Sequence, residues 1–254
     1  MGFPFKKTPH KVYKSSTLQN VLVTFCYTPL QSEEFDDDFY ERLNDFTMGK
    51  FGLLVERKFP QSALQILNNK NKTRLVFGRD KVYVILDCDG YVSFDDSAFP
   101  QAYHLKDFLK DVMLKKEAIR MSIRKINIWS VDASMDEKVD EEKIRKQIFS
   151  NEFLTCTDKA GMDVQEEQKL MDKFCWKDKE QTVLLRTAFI PIDKTSKKFN
   201  MVMDTEAVTE QARNISLNEM PNVLRALNDT MFDAFNWAVN KEIINKMEEG
   251  LYTL

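Results

Sequence analysis

Near the end of the chain, Val223, Leu224, Leu227, Met231, Phe235 and Ala238 recur at three- and four-residue intervals, and Phe232, Val239 and Ile243 widen the stripe. Only an α-helix gathers residues at that spacing onto one face, so this segment requires an amphipathic helix buried against other elements. Asn218 or Ser216 can cap it, Pro221 fits its first turn, and Gly250 offers a left-handed stop. Read as one element it is about 45 Å long at 1.5 Å per residue. The pattern therefore predicts a long terminal helix that closes the fold and spans both halves.

Upstream, a period of two prevails. Leu18 to Tyr27 (LQNVLVTFCY) reads as a strand rich in β-branched and aromatic residues, closed by Thr28-Pro29. A helix follows, in which Ser32 can act as cap and Phe35, Phe39, Leu43 and Phe46 share a face. Phe51 to Val55 and Ala63 to Leu67 are short apolar runs. Arg74 to Phe77 and Val82 to Leu86 flank Gly78-Arg79-Asp80 as in a hairpin, and Asp89-Gly90 supplies another turn. His104 to Leu114 is helical by its Leu105, Phe108, Leu109 and Val112 stripe, and leads into the strand AIRMSIRKINIW. There Ile119, Met121 and Ile123 lie on one face and Ile126 and Ile128 on the other, which predicts a bulge near Arg124-Lys125.

The segment Asp136 to Lys146 mixes both charges at helical spacing and reads as a solvated helix, with a boundary in the polar stretch through about Gly161. Thr182 to Ile192 and Phe199 to Glu206 flank DKTSKK as a further hairpin. Hairpin followed by helix thus occurs twice. The expected architecture is an α+β fold of two related halves, residues 1–150 and 151–254, each with antiparallel hairpins packed on helices.

With 254 residues, 43% of them hydrophobic, the chain can bury a substantial core. Its 37 basic and 40 acidic residues give a net charge of −3, which argues against general nucleic-acid binding while leaving room for a local basic patch. No run approaches the roughly 18 apolar residues of a membrane span, and the opening residues lack a secretory core, so a cytoplasmic protein without membrane attachment is expected. Cys26, Cys88, Cys156 and Cys175 lack CxxC spacing and read as reduced thiols.

Five groups of residues bear on chemistry. In VYVILDCDGYV an apolar strand ends in Asp-x-Asp-Gly, the arrangement in which haloacid-dehalogenase-type phosphatases place a nucleophile, here Asp87, and a general acid, here Asp89. Such an enzyme also needs a later lysine and acidic pair for magnesium, which the chain does not show clearly, and a type I′ turn at Asp89-Gly90 is the competing reading. Glu56-x-Lys58 echoes a metal-dependent nuclease, against which stands ordinary solvated charge. With His10 and His104 as the only histidines, Cys-His and Ser-His catalysis and a His-based zinc site lack parts. Lys115, Lys116, Arg120, Arg124 and Lys125 form a basic cluster; Arg120 and Arg124 project on one strand face with Ser122, suited to phosphate or carboxylate, or to the chain's own acids. Trp129, Trp176 and Trp237 read as core or interface anchors.

Several segments resemble a sporadically distributed, functionally uncharacterised bacterial family of about 250 residues. These are L-x-N-V-x-V-x-F at Leu18 to Phe25, the aromatic-Pro segment with Phe99, Pro100 and Phe108, the strand Arg120 to Asn127, and the final helix with Phe235. Lys125 stands where that pattern has an apolar or aromatic residue. The resemblance implies an α+β fold of two related halves, no established catalytic residues, and work beside a protein partner encoded nearby.

The expected function is a non-catalytic interaction or regulatory protein, an accessory component of a bacterial defence or toxin-control system. It needs no cofactor or metal and binds a protein partner or a second copy through the terminal helix. The alternative is a magnesium-dependent phosphohydrolase or nuclease using Asp87 and Asp89 or Glu56 and Lys58.

Overall fold

The structure, a computed structural model, describes residues 3–52, 64–68, 73–88, 93–132, 140–159, 171–193, 198–210 and 214–252. The elements in chain order are β1 (Leu18–Cys26), α1 (Asp37–Phe51), β2 (Leu64–Asn68), β3 (Thr73–Phe77), β4 (Lys81–Asp87), α2 (Phe99–Asp107) and β5 (Arg120–Asp132). Then come α3 (Glu141–Ile148), α4 (Asn151–Lys159), β6 (Met171–Lys177), β7 (Gln181–Asp193), β8 (Lys198–Thr209), α5 (Met220–Ala238) and α6 (Lys241–Glu249). The fold is α+β, and the strands follow the order β2-β3-β4-β1-β5-β8-β7-β6. No helix among the described residues is long and apolar enough to cross a membrane.

The chain divides into two compact units. One comprises Asn20–Arg124 and Val208–Leu227, the other Met1–Gln19, Lys125–Ala207 and Asn228–Leu254. The first unit is organised by β1, whose Val21, Val23 and Phe25 are fully buried. β4 pairs antiparallel with β1 and β3 with β4, so that Val82, Val84, Leu75 and Phe77 extend the same buried face. Where β1 ends, Tyr27 donates its hydroxyl to Gly78 O at 2.6 Å, and Arg79 donates Nε and Nη2 to Leu30 O at 3.1 and 2.8 Å. These bonds tie the β3–β4 turn to the exit of β1. Burial holds the Tyr27 phenol well above its ordinary pKa.

α1 begins at Asp36, whose carboxylate accepts the Phe39 N–H at 2.7 Å, and stops at Gly52, which takes the left-handed φ of 69°. Ser32 belongs to a separate single turn, Ser32–Glu34, so the cap lies four residues later than the sequence pattern suggests. The second helical segment also starts earlier than His104. Wide five-residue turns at Phe94–Ala98 and Phe108–Val112 flank α2, with Phe99 N–H bonded to Phe94 O and Met113 N–H to Phe108 O. A five-residue turn brings i and i+5 to one side, which is why Phe94 and Phe99 are both buried, with ring centroids 5.8 Å apart. The segment ends in two consecutive left-handed residues, Leu114 and Lys115.

In the second unit, Trp129 of β5, Phe149 and Phe153 around α3 and α4, Phe174 of β6 and Met201 of β8 share one core. α3 is less solvated than its charge suggests: Asp140 caps it by accepting the Lys143 N–H, and Ile144 and Ile148 are buried. Residues 3–16 run along the terminal helices. Thr8 N–H donates to Asp233 Oδ1 at 2.7 Å, the Tyr13 hydroxyl donates to Asn236 Oδ1 at 2.6 Å, and Lys14 and Ser15 N–H groups both donate to Met247 O. His10 stacks on Phe232 at 4.4 Å and places Nε2 3.1 Å from Asp229. Burial pushes the Tyr13 phenol up to about 12 and raises the Asp233 carboxyl, against the Thr8 bond and the His10 charge, which act the other way.

Two expectations require correction. The terminal segment is not one long helix: α5 ends at Ala238 and α6 begins at Lys241. At the break the backbone exchanges helical bonds for bonds to residues 148–150. Ser150 N–H donates to Ala238 O and Asn240 N–H to Ile148 O, both at 2.8 Å, and Val239 bridges Phe149. Asn240 then caps α6 by accepting the Glu242 N–H. A helical apolar stripe alone does not register this competition for backbone partners. Nor does β5 switch faces near Arg124-Lys125, because Met121, Ile123, Asn127 and Trp129 keep one buried parity throughout. Lys125 occupies the intervening position on that face and donates Nζ to Asn228 Oδ1 at 2.7 Å.

Replacing the α6 cap, Asn240→Ala, is expected to destabilise the protein by about 1 kcal/mol, read as a lower urea midpoint. A carboxyl whose pKa is raised on folding contributes stability at low pH that is lost as pH rises through the raised value. Asp233→Asn, which keeps an acceptor for Thr8, should therefore exceed the wild type in stability at neutral pH and remove that part of the decline, as followed by urea midpoints across the acid range.

Candidate functional site

The side chains of β1, β3, β4 and the first part of β5 alternate, so the residues between the buried ones occupy the opposite face of the sheet. In β1 these are Asn20, Leu22, Thr24 and Cys26, all half-buried. In β4 they are Lys81, Tyr83, Ile85 and Asp87, and in β3 Arg74 and Val76, of which Val76 is itself buried. The register aligns them in rows: Arg74 opposite Ile85 and Ile85 opposite Leu22, Val76 opposite Tyr83 and Tyr83 opposite Thr24, Asp87 opposite Asn20, and Lys81 opposite Cys26. β5 neighbours β1 and contributes Arg120, Ser122 and Arg124 to this face, opposite in parity to the fully buried Met121 and Ile123, although Ser122 is itself buried.

The face is mixed in composition. Its two middle strands, β4 and β1, present Ile85, Tyr83 and Leu22 together with the polar Asn20 and Thr24, while the flanking strands present Arg74 on one side and Arg120 and Arg124 on the other. Arg74 and Arg120 are exposed and Arg124 is half-buried. The ends along β4 differ in charge, with Lys81 at its start and Asp87 at its finish, both exposed. A row of apolar side chains bordered by cations binds through desolvation at the centre and ion pairing at the rim.

On β7 and β8, in the other unit, one arginine is neutralised by neighbouring carboxylates. Arg186 lies 3.0 Å from Asp204 and 3.5 Å from Glu206. Exposed apolar side chains there are Ile190 and Ile192, near the end of β7.

Of the residues singled out from sequence, Arg120 and Arg124 do share a face with Ser122, and Asp87 is on that same face two strands away. Lys125 does not join them, since it points to the core side and bonds Asn228. Asp89, Glu56 and Lys58 lie outside the described residues. His104 is on α2, where burial lowers its pKa, Lys50 lowers it further and Asp107 opposes both. Lys116 pairs with Glu34 at 3.4 Å. Among the described residues no group of three or more His, Cys, Asp or Glu is placed to hold a metal ion. Trp129 is buried, and Trp176 and Trp237 pack beside it in the same core.

Sequence reasoning did not single out Arg74, Leu22, Tyr83 and Ile85. Their signal was available: each is the alternate position between residues that read as core in a strand already identified.

A second feature of this unit is a shallow apolar depression lined by Phe25, Phe99, Ala102, Tyr103, Lys106, Met220, Pro221 and Leu224. At its edge the Arg225 guanidinium lies over the Phe99 ring at 4.1 Å and 3.5 Å from Asp95.

No protein-family model matches the chain, and no curated protein is detectably similar to it. Among solved structures it is similar to Methanococcus jannaschii TBP at 14% identity, over 84% of this chain and 95% of that one, with a TM-score of 0.27. A score that low establishes neither a shared fold nor a shared function.

The two faces of β4 predict opposite responses to an added charge. Ile85→Asp should change stability by about 1 kcal/mol or less, whereas Val84→Asp places a carboxylate in the core and should cost on the order of 4 kcal/mol. Thermal unfolding of both variants measures the difference.

Proposed function

We propose that this chain is a non-catalytic interaction protein, a regulatory or accessory component of a bacterial defence or toxin-control system that works in the cytoplasm on a protein partner. The supporting observation is the face built by Arg74, Tyr83, Ile85, Leu22, Arg120 and Arg124, where apolar and cationic side chains stand in rows on a sheet whose other face is the core. Half-exposed apolar groups rimmed by arginines are the composition of a recognition surface rather than of a reaction centre. The resemblance to an uncharacterised bacterial family implies no established catalytic residues and work beside a partner encoded nearby.

The chain also reads as two related halves. The first runs β1-α1-β2-β3-β4-α2 with strand order β2-β3-β4-β1, and the second runs β5-α3-α4-β6-β7-β8-α5-α6 with strand order β6-β7-β8-β5. Each places its first strand last in the sheet order, which is the pattern a duplicated unit leaves.

A second reading rests on Asp87, exposed at the carboxyl end of β4, and is a magnesium-dependent phosphohydrolase. One set of variants separates the two. The wild-type chain, expressed at native level in its source cells, is expected to co-purify with a stoichiometric protein that Ile85→Asp loses and Asp87→Asn retains. Retention of that protein by Ile85→Asp would refute the assignment of the surface. Magnesium-dependent phosphoester turnover abolished by Asp87→Asn would establish the second reading instead.

A further inference from the structure

We infer that residues 3–16 are the resident occupant of a recognition groove on α5 and α6, and that the groove's external ligand is an extended basic segment with aromatic side chains, supplied by a partner protein. The groove is separate from the outer sheet face and does not depend on how that face is read. The first argument is how lightly the resident segment is held. None of residues 3–16 is buried and none belongs to a helix or strand, and among their side chains Tyr13 is the one packed against the core of this unit. Ion pairs exposed to water contribute little each, so the segment can leave while the core stays closed. Pro4 and Pro9 bias it towards extended backbone, which lowers the entropy lost on docking.

The second argument is charge. Residues 3–16 contain Lys6, Lys7, His10, Lys11 and Lys14 and no acid. The part of α5 in this unit, together with α6, carries Asp229, Asp233, Glu242, Glu248 and Glu249 against Lys241 and Lys246. The contacts follow that division: His10 Nε2 lies 3.1 Å from Asp229 Oδ1, and Lys11 Nζ lies 2.9 Å from Glu248 Oε1. Asp229 and Asp233 are one turn apart on α5, a spacing at which like charges repel. Burial raises the Asp233 carboxyl and Asp229 adds to the rise, while the Thr8 N–H, His10 and Lys7 pull it down. The cations of the segment thus relieve a repulsion that the helix itself creates.

The third argument is the set of seats along the helices. Phe5 packs on Trp237 with ring centroids 6.0 Å apart, His10 stacks on Phe232 at 4.4 Å, and Tyr13 lies 5.8 Å from Phe232 and 6.2 Å from Phe235. Asp233 accepts the Thr8 N–H, and Met247 O accepts the N–H groups of Lys14 and Ser15. Main-chain donors are common to any extended chain, so the rings and the carboxylates supply the selectivity. Acidic walls repel phosphate, which disfavours nucleic acid and anionic lipid. An external segment gains the groove by competing with the tethered one, whose effective concentration is high.

The test uses the full-length chain. In the variant His10→Glu/Lys11→Glu the segment meets Asp229 and Glu248 with like charge, and the amide hydrogens of Thr8, Lys14 and Ser15 should exchange at least about tenfold faster than in the wild type, with those of β7 and β8 unchanged. A labelled peptide with the sequence of residues 3–16 should bind this opened variant at least about tenfold more tightly than the wild type, whose groove is filled, as read by fluorescence anisotropy. Adding Asp229→Lys/Glu248→Lys to the opened variant pairs both contacts again, and should restore slow exchange and exclude the peptide, which also shows that the altered chains are folded. The inference is overturned if the three amides exchange only together with the core, if the re-paired chain still exchanges fast, or if the opened variant does not bind the peptide. Equal binding of a peptide carrying His10→Glu/Lys11→Glu, or tighter binding of a single-stranded oligonucleotide, overturns it as well, because the carboxylates would then select nothing.

Discussion

Val21, Val23 and Phe25 of β1 are fully withdrawn from water, while Asn20, Leu22, Thr24 and Cys26 between them are only half so. This one-sided covering is the constraint on which the rest of the first unit depends. Each buried Val, Leu or Phe side chain contributes about 1.5–3 kcal/mol relative to exposure, and a one-residue slip of register would move the whole buried set into solvent. The register of β1 with β4 and of β4 with β3 is therefore held by the core, and the same register aligns Arg74, Ile85 and Leu22 on the outer side. The proposed recognition surface would thus be a by-product of core packing, because the register that aligns the buried rows also aligns the outer ones.

Directional bonds supplement that packing where hydrophobic contact says little about geometry. The Tyr27 hydroxyl on Gly78 O and the Arg79 fork on Leu30 O set the angle at which the β3–β4 turn meets β1. In the second unit Thr17 donates to Asn127 Oδ1 and Lys125 to Asn228 Oδ1, two polar pairs placed on the core side of β5. Burying such groups costs energy unless they are bonded, so these pairs disfavour alternative registers more than they add stability.

Much of this was legible in the residues, and the failures are instructive. The hairpins at 73–87 and 181–209 and the strand at 18–26 were readable because turn residues and period-two alternation coincide there. Arg120 and Arg124 were correctly placed on one face by parity alone. β6 passed unnoticed because Met171–Lys177 mixes charge with Phe174 and Trp176 without a turn signal at its start. The bulge expected in β5 rested on treating Ile126 and Ile128 as core, whereas the core side there is held by Asn127 and Trp129. Lys125 was misread with its arginine neighbours because a charged side chain on a core face has no signature until its partner, Asn228, is known.

By itself the sequence determined which segments read as strands and which as helices, and that the chain carries enough apolar side chains to cover a sheet on one side. These are local properties, set by backbone sterics and by the spacing of side chains along one segment. Only the tertiary structure decided that α5 ends at Ala238, that Lys125 turns inward, and that Arg74 and Arg120 border the same apolar rows. Each of those depends on a partner far away in sequence, whether Ile148 and Ser150, Asn228, or the strands β4 and β1 between the arginines. No pattern within a single segment encodes the distance between residues on strands that meet only when the sheet forms.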